Sequence, residues 1–223
     1  MKAYRVLPWV SLVVLASVTV VAQDPAKVAS ANYKVVVDNP TVRVLRVSVP
    51  ANGKTAMHSH PENLVIPLSA SKVRFETPDG KSEEAELGVE SAVFQPVQTH
   101  AGTNLGLTPV DAIVVEFKGG KPGAGKMPST RDNMTLKVLA EGPRGSAVRA
   151  TADPAFHEPA GSTHDFDQVV IALGPTAMSL AIDGKPAKTQ WTRGEVAFIP
   201  RGTPHESKNA GGKPIDFIIV AIR

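Results

Sequence analysis

Short runs in which apolar and polar residues alternate fill most of the chain after residue 32. Alternation with a period of two is typical of β-strands that bury one face, and no segment has the 3.6-residue period of an amphipathic helix. Pro-Ala-Asn-Gly at 50–53 and Pro-Asp-Gly at 78–80 supply turns between runs. The pattern predicts an all-β protein. Its first half is predicted to have strands beginning at residue 33 and at 41–49, 63–68, 72–77, 82–87, 92–95 and 110–117.

The strand pattern of the first half occurs again in the second half. The segments resemble each other in apolar order and in the position of an Asp-Gly turn. The corresponding pairs are 62–68 with 167–173, 79–80 with 183–184, and 112–117 with 217–222. Such self-similarity indicates that one all-β unit has been duplicated.

A segment rich in Gly, Pro and Lys separates the two copies. Residues 118–128 have no apolar periodicity, which is typical of a linker. We therefore predict a first domain at 32–118, a linker at 119–131 and a second domain at 132–223. With 42% apolar residues in a chain of 223, there is enough material for two small cores.

The first 22 residues have a different pattern from the rest. Lys2 and Arg5 precede a mainly apolar run at 6–21, which ends at the small residue Ala22. This arrangement is typical of a secretory signal peptide. We predict export to the periplasm or the exterior and cleavage after Ala22, which leaves no stable membrane anchor. An uncleaved anchor is the alternative, but the run is short for a membrane span and contains Pro8.

The charge of the chain gives no support to a nucleic-acid partner. The formal net charge is +3, from 24 basic and 21 acidic residues. Lys2 and Arg5 belong to the predicted leader, so 24 minus 2 leaves 22 basic residues against 21 acidic ones. That balance provides no basic surface for a phosphate backbone. The chain has no cysteine, which excludes disulfides and thiol chemistry.

Histidines occupy matched places in the two copies. His58 and His60 stand two residues apart, so on an extended strand their side chains point to the same face. His100 follows in the first copy, and His164 and His205 lie in the second. Imidazoles that converge on one point are ligands for divalent metals. A hydrogen-bonded polar core is the other explanation for such a group.

The residues around these histidines resemble the two sequence motifs of the cupin superfamily. The second copy matches the second motif at every signature position, and the first copy has versions of both motifs that are one residue shorter. The matched positions are Gly194, Pro200, Gly202, His205 and Asn209 in the second copy, and Gly53, His58, His60, Pro96, His100 and Asn104 in the first. The resemblance covers about residues 32–223. It implies two tandem antiparallel cupin barrels of the jelly-roll kind.

The resemblance implies a metal site in the first barrel, with His58 and His60 from one strand and His100 from a facing strand. Cupins commonly add a glutamate shortly after the second histidine, but apolar residues occupy 64–65 here. Glu62 is the nearest carboxylate and would be in phase with the histidines on a continuous strand. It is the candidate catalytic residue, and the roles of ligand, base and solvated side chain stay open for it.

The second barrel is predicted to have a weaker site made of His164, Asp167, Gln168 and His205. Only two imidazole nitrogens are available there, and two bind a metal weakly.

The alignment of the second copy's first motif is open. Aligning His164 with His60 places Ser162 opposite His58, whereas an alignment without gaps places residues 163 and 165 opposite the two histidines.

Cupin barrels host dioxygenases, isomerases, decarboxylases, storage proteins and ligand sensors, so the fold does not select a function. The first hypothesis is an exported metal-dependent enzyme, dioxygenase-like or isomerase-like, in which Fe(II) is favoured over Mn, Zn or Ni. The alternative is a non-catalytic protein that binds or senses a small molecule. A third hypothesis is that the histidines were kept only for stability. The few aromatic residues favour a small polar molecule as partner, and a monomer and a homodimer are equally compatible with the sequence.

Overall fold

The computed structural model describes residues 23–89, 91–119, 123 and 127–223. The predicted signal peptide lies outside the described residues, as do positions 120–122 and 124–126 of the predicted linker. Within the described residues, eighteen strands and one short helix make up the regular structure. The prediction of an all-β protein is therefore confirmed. None of the helical structure in these ranges is long and apolar enough to cross a membrane.

The first half consists of one helix and nine strands. Their bounds are α1 Pro25–Val28, β1 Tyr33–Asp38, β2 Val42–Val49, β3 His58–His60, β4 Asn63–Pro67, β5 Ser71–Glu76, β6 Ser82–Leu87, β7 Val93–Gln95, β8 Gln98–Asn104 and β9 Val110–Phe117. The strands form a five-stranded sheet in the order β1-β2-β9-β4-β7 and a four-stranded sheet in the order β3-β8-β5-β6.

The second half has nine strands with the same topology. Their bounds are β10 Met134–Gly142, β11 Gly145–Ala152, β12 His157–Ser162, β13 Asp167–Ala172, β14 Met178–Ile182, β15 Lys185–Lys188, β16 Val196–Ile199, β17 His205–Asn209 and β18 Ile215–Ile222. The sheet orders are β10-β11-β18-β13-β16 and β12-β17-β14-β15. This one-to-one correspondence supports duplication of a single unit.

The helix α1 was not predicted from the sequence. It has only four residues, and its N-terminus is capped by Asp24, whose side chain accepts a hydrogen bond from the backbone N–H of Ala26. A single turn is too short to show helical periodicity. Ala26 and Ala29 pack beside the core of the first barrel, which fixes this turn to the strands.

The two five-stranded sheets pack against each other through residues that point away from each barrel. In β9, Ile113 and Val115 belong to a core cluster that also contains Ile218 and Val220 of β18. The alternate residues of β9 face the interior of their own barrel instead, as Val114 does. Strands buried on both faces consist almost entirely of apolar residues. This explains the long apolar runs at the ends of both copies.

Two glycines allow the halves to approach closely. A Cβ at Gly142 of β10 would lie 2.3 Å from Cδ2 of Phe94 in the other half. Gly194 has a φ of +76°, and a Cβ there would overlap the guanidinium of Arg46. Arg46 donates from Nη1 to the carbonyl oxygen of Arg193 in the other half at 3.4 Å, and from Nη2 to Asp111 at 2.7 Å. Larger residues at either glycine would push the two halves apart.

The packing between the two five-stranded sheets predicts that removing a side chain from it lowers the free energy of unfolding. Leu64→Ala removes a fully buried side chain from the shared cluster and should lower the free energy of unfolding by about 3 kcal/mol, because it leaves a cavity. Leu107→Ala is the matched control, since Leu107 is 90% exposed and should change stability by less than about 0.5 kcal/mol. Urea unfolding of both variants measures the difference. Equal losses would contradict the packing described above.

Candidate metal centre

Three histidines converge inside the first barrel. His58 and His60 are buried at alternate positions of β3, and Ser59 between them is partly exposed. In the antiparallel pair of β3 and β8, His58 lies directly opposite His100. One donor nitrogen from each ring lies within 4.8 Å of the other two. The sequence grouped these three residues, and the structure brings them together.

The hydrogen bonds of the rings leave nitrogens free to bind an ion. His58 donates from Nδ1 to the carbonyl oxygen of Ala56 at 2.6 Å, and its Nε2 is buried. Neither His58 Nε2 nor His100 Nδ1 has a hydrogen-bond partner among the described residues. Buried polar atoms without partners cost free energy. A divalent metal would supply the missing partner, so these residues fit one.

The protonation states of the rings also suit a metal. Burial lowers the pKa of His58, and burial together with the neighbouring imidazoles lowers the pKa of His100 to about 3. Both rings are therefore neutral at neutral pH. Only a neutral imidazole nitrogen can coordinate an ion.

A buried carboxylate that the sequence analysis missed orients the third ring. Glu116 is 1% exposed, and its Oε1 accepts a hydrogen bond of 2.6 Å from His60 Nδ1. Its Oε2 accepts a hydrogen bond of 2.5 Å from Nε of Arg43, which in turn pairs with Asp24 at 2.9 Å. Burial alone would raise the pKa of Glu116, but the bonds from His60 and Arg43 lower it. The anionic carboxylate thus directs Nε2 of His60 to the centre, as carboxylates do for metal-bound histidines.

A signal for Glu116 was present in the sequence. It is a charged residue within the otherwise apolar end of β9, and its partner Arg43 stands at a corresponding inward position of β2. Glu116 is 56 residues from His60, however, so sequence spacing alone does not link them.

Glu62, the candidate catalytic residue, does not belong to the cluster of donor atoms. β3 ends at His60 and β4 begins at Asn63, so Glu62 lies in the connection and is no longer in phase with the histidines. Its backbone carbonyl accepts a hydrogen bond from the N–H of Phe117. The carboxylate beside the histidines is that of Glu116 instead.

The centre forms part of the wall of a cavity of about 660 Å³. His60, His100 and Tyr33 all line it. The ring of Tyr33 lies 4.9 Å from that of His58 between centroids. Burial and the negative charge of Glu116 raise the pKa of Tyr33, so its phenol stays protonated.

The second barrel has a cluster of different composition. Glu158 Oε1 lies 3.2 Å from His164 Nε2, and its Oε2 lies 3.4 Å from His205 Nε2. Arg131 donates to Glu158 Oε1 and places Nη2 3.0 Å from His164 Nε2. Burial alone would raise the pKa of Glu158, but its bonds with the two histidines and the charge of Arg131 lower it well below its usual range. The guanidinium of Arg131 therefore lies among three side chains of the kinds that bind metals.

Asp167, which the sequence analysis grouped with His164, Gln168 and His205, lies outside this cluster of donor atoms, whereas Gln168 lines the same small cavity as Glu158 and His205. The carboxylate of Asp167 accepts a hydrogen bond from the backbone N–H of Arg201 and so fixes the adjacent turn. Gln168 is buried beside a cavity of only about 30 Å³. The acidic member of the cluster is Glu158, which precedes His164 by six residues, and no spacing rule pointed to it.

The register of the second barrel supports one of the two alignments. Ser162 pairs with His205 across β12 and β17, as His58 pairs with His100 across β3 and β8. Ser162 therefore takes the position of His58, which removes one ligand from the second barrel.

The motif asparagines have a structural role in both barrels. Asn104 donates to the carbonyl oxygens of Val49, Pro50 and Thr108, and its Oδ1 accepts from the N–H of Gly106. Asn209 makes the equivalent bonds in the second barrel. Both amides are thus occupied by backbone groups and are not free for a ligand.

No protein-family model and no curated protein matches the sequence. Among solved structures, AerE from Microcystis aeruginosa is similar over 86% of this chain and 97% of its own, with 13% identity and a TM-score of 0.65. A cupin 2 conserved barrel domain protein from Leptotrichia buccalis is similar over 86% and 88%, with 10% identity and a TM-score of 0.58.

A formate complex of oxalate decarboxylase from Lactobacillus farciminis is similar over 83% of this chain and 78% of its own, with 10% identity and a TM-score of 0.59. At such low identity, these likenesses concern the fold alone. They agree with the motifs and with the sheet topology, and they identify the chain as a two-barrel protein with the cupin fold.

Proposed function

We propose that this protein is an exported metal-dependent enzyme whose divalent ion is held by His58, His60 and His100. The observation that carries the proposal is the convergence of three buried imidazoles, two of which, His60 and His100, line a cavity of about 660 Å³. Three nitrogens on one side of an ion leave positions open for a substrate. A bound ion would supply Lewis-acid or redox chemistry, and Fe(II), Mn, Zn and Ni all accept such ligands, with Fe(II) favoured.

The proton-transfer groups favour a dioxygenase-like reaction over an isomerase-like one. An isomerase-like reaction needs a base beside the substrate. Glu116 is held by His60 and Arg43, and Tyr33 is a protonated phenol that can donate but not accept a proton. The same lack of a free base among the described residues beside the histidines makes a non-catalytic binding protein the second candidate. Oxygen uptake by the metal-loaded protein with a bound substrate separates the two.

The residues that follow the predicted cleavage site are anchored to the first barrel, which is compatible with cleavage after Ala22. The carbonyl oxygen of Gln23 accepts a hydrogen bond of 2.8 Å from the N–H of Ser59, next to both histidines of β3. Asp24 pairs with Arg43 at 2.9 Å. Cleavage after Ala22 would keep all of these contacts.

The export proposal predicts the amino terminus of the mature protein. Expressed with its leader in a bacterial host, the protein should accumulate outside the cytoplasm, and amino-terminal sequencing should begin at Gln23. Recovery of the intact leader from the membrane fraction would contradict cleavage.

The metal proposal predicts the effect of removing single histidines. His58→Ala, His60→Ala and His100→Ala should each lower the metal content of the purified protein from about one equivalent to well below half, because two nitrogens bind weakly. Elemental analysis of the dialysed proteins measures this. His157→Ala is the matched control, since His157 is on the surface and pairs with Glu206.

Far-UV circular dichroism of the same variants shows whether the barrel is still folded. A folded His60→Ala protein with full metal content would refute the site.

We further propose that Arg131 takes the place of a metal in the second barrel. Its guanidinium holds Glu158 and contacts His164, and a cation bound to these donors would be repelled at close range. Ser162 stands where the first barrel has His58, so an ion there would need Glu158 as its third ligand, and Arg131 already holds Glu158.

The expected metal content therefore differs between wild type and an arginine variant. Wild type should bind one equivalent of Zn²⁺, and Arg131→Ala should bind a second, because Glu158, His164 and His205 become available. Arg74→Ala is the matched control, since Arg74 forms an exposed pair with Glu84 in the other barrel. Two equivalents in wild type, or one in folded Arg131→Ala, would contradict the role of Arg131.

A further inference from the structure

We infer that the first barrel takes a small molecule with an uncharged, largely apolar body and one group that chelates the metal. The inference rests on the proposed metal site for the chelating end. The side chains that line the cavity indicate the character of the rest of the ligand.

Aliphatic side chains form much of the inner wall. Residues from four strands, β2, β4, β5 and β9, present branched side chains to the cavity, including Val47, Val49, Val65, Val73, Val110 and Val114. Such a surface gains free energy by burying apolar groups of a ligand, at about 25 cal/mol per Å². This differs from the small polar molecule expected from the low aromatic content, because aliphatic side chains form the wall instead.

The polar groups on the inner wall are neutral, and several are already engaged. Asn104 is bound to backbone carbonyls, the amide of Asn63 donates to the carbonyl of Pro61 at 2.9 Å, and Thr55 accepts from the N–H of Gly102 at 2.8 Å. These groups have little capacity left to solvate a charged ligand.

Apart from the proposed ion, which the chelating group would occupy, the described residues of the lining offer no inner cation to balance a further negative charge on the ligand. Of the described residues that line it, Lys81 alone carries a permanent positive charge, and its side chain is 84% exposed and paired with Asp79 at 2.6 Å. The nearby arginines are committed elsewhere: Arg43 binds Glu116, and Arg46 binds Asp111. A carboxylate entering the cavity would lose its hydration without a compensating ion pair, which is costly.

The mouth of the cavity is acidic. Asp79, Glu83 and Glu86 line it together with the single cation Lys81, and all four are exposed. Excess negative charge at an entrance reduces the local concentration of anions. The mouth and the inner wall of the cavity therefore both disfavour anionic ligands. Sharing the cupin fold with oxalate decarboxylase therefore does not imply that this barrel binds a small dianion such as oxalate.

A pair of matched chelators tests this inference. Benzohydroxamic acid and 4-carboxybenzohydroxamic acid have the same chelating group and differ by one remote carboxylate. Titration calorimetry of each into the Zn²⁺-loaded wild-type protein should give affinity at least about tenfold higher for the uncharged probe, a difference of about 1.4 kcal/mol. Equal affinities, tighter binding of the carboxylate probe, or no binding of either would overturn the inference.

Two variants make the result specific to the cavity. Gln95→Arg adds a cation to the lining and should narrow the ratio of affinities by raising that of the carboxylate probe. Lys118→Arg is the control on the surface, away from the lining, and should leave the ratio unchanged. An unchanged ratio in Gln95→Arg would count against the inference.

Different results would refute the proposed metal site and the inferred class of ligand. Failure of wild type to bind Zn²⁺ at the three histidines would remove the proposed function and its chelating end together. Zn²⁺ binding lost in His60→Ala, combined with a preference for the carboxylate probe, would leave the metal site intact and overturn only the ligand class.

Discussion

The contact between the two five-stranded sheets is the constraint on which the rest of the structure depends. It buries the central strands on both faces, so β9 and β18 must supply apolar residues in both directions. A slip of one residue would exchange the outward and inward sets. Register is therefore fixed from two sides, and this fixes which residues face the interior of each barrel. Glu116 faces inward for this reason.

The histidine cluster is built on the opposite sheet of the first barrel, and Glu116 connects it to the shared core. His58 and His60 belong to β3, whereas Glu116 belongs to β9 and Arg43 to β2. The hydrogen bond between His60 and Glu116 thus joins the two sheets of the barrel through its interior. A buried anion is stable there because both of its oxygens are bonded, which offsets the loss of hydration. Asp24 extends this network to the segment that precedes the first strand.

The two barrels share a topology but differ at inward positions. Glu116 lies opposite Asn63, and the register of the second barrel places Ala221 opposite Gln168 in the same way. Tyr33 lies opposite Val47, and the register of the second barrel places Leu136 opposite Ala150 in the same way. The second barrel thus lacks a carboxylate and a phenol at these two positions, and its cavity is about 30 Å³ against about 660 Å³. Divergence of a few inward side chains separates an open barrel from a filled one, while the fold is unchanged.

The sequence by itself determined most strands of the first half, the duplication and the grouping of the three histidines, because these depend on local alternation and on short spacings such as that of His58 and His60. The cupin motifs then predicted the fold. Only the tertiary structure decided which charged groups accompany the histidines. Glu116 reaches His60 through strand register across 56 residues, and Arg131 enters the second barrel from a segment whose composition is that of a linker. Cavity size also depends on packing among many distant side chains, which no local pattern encodes.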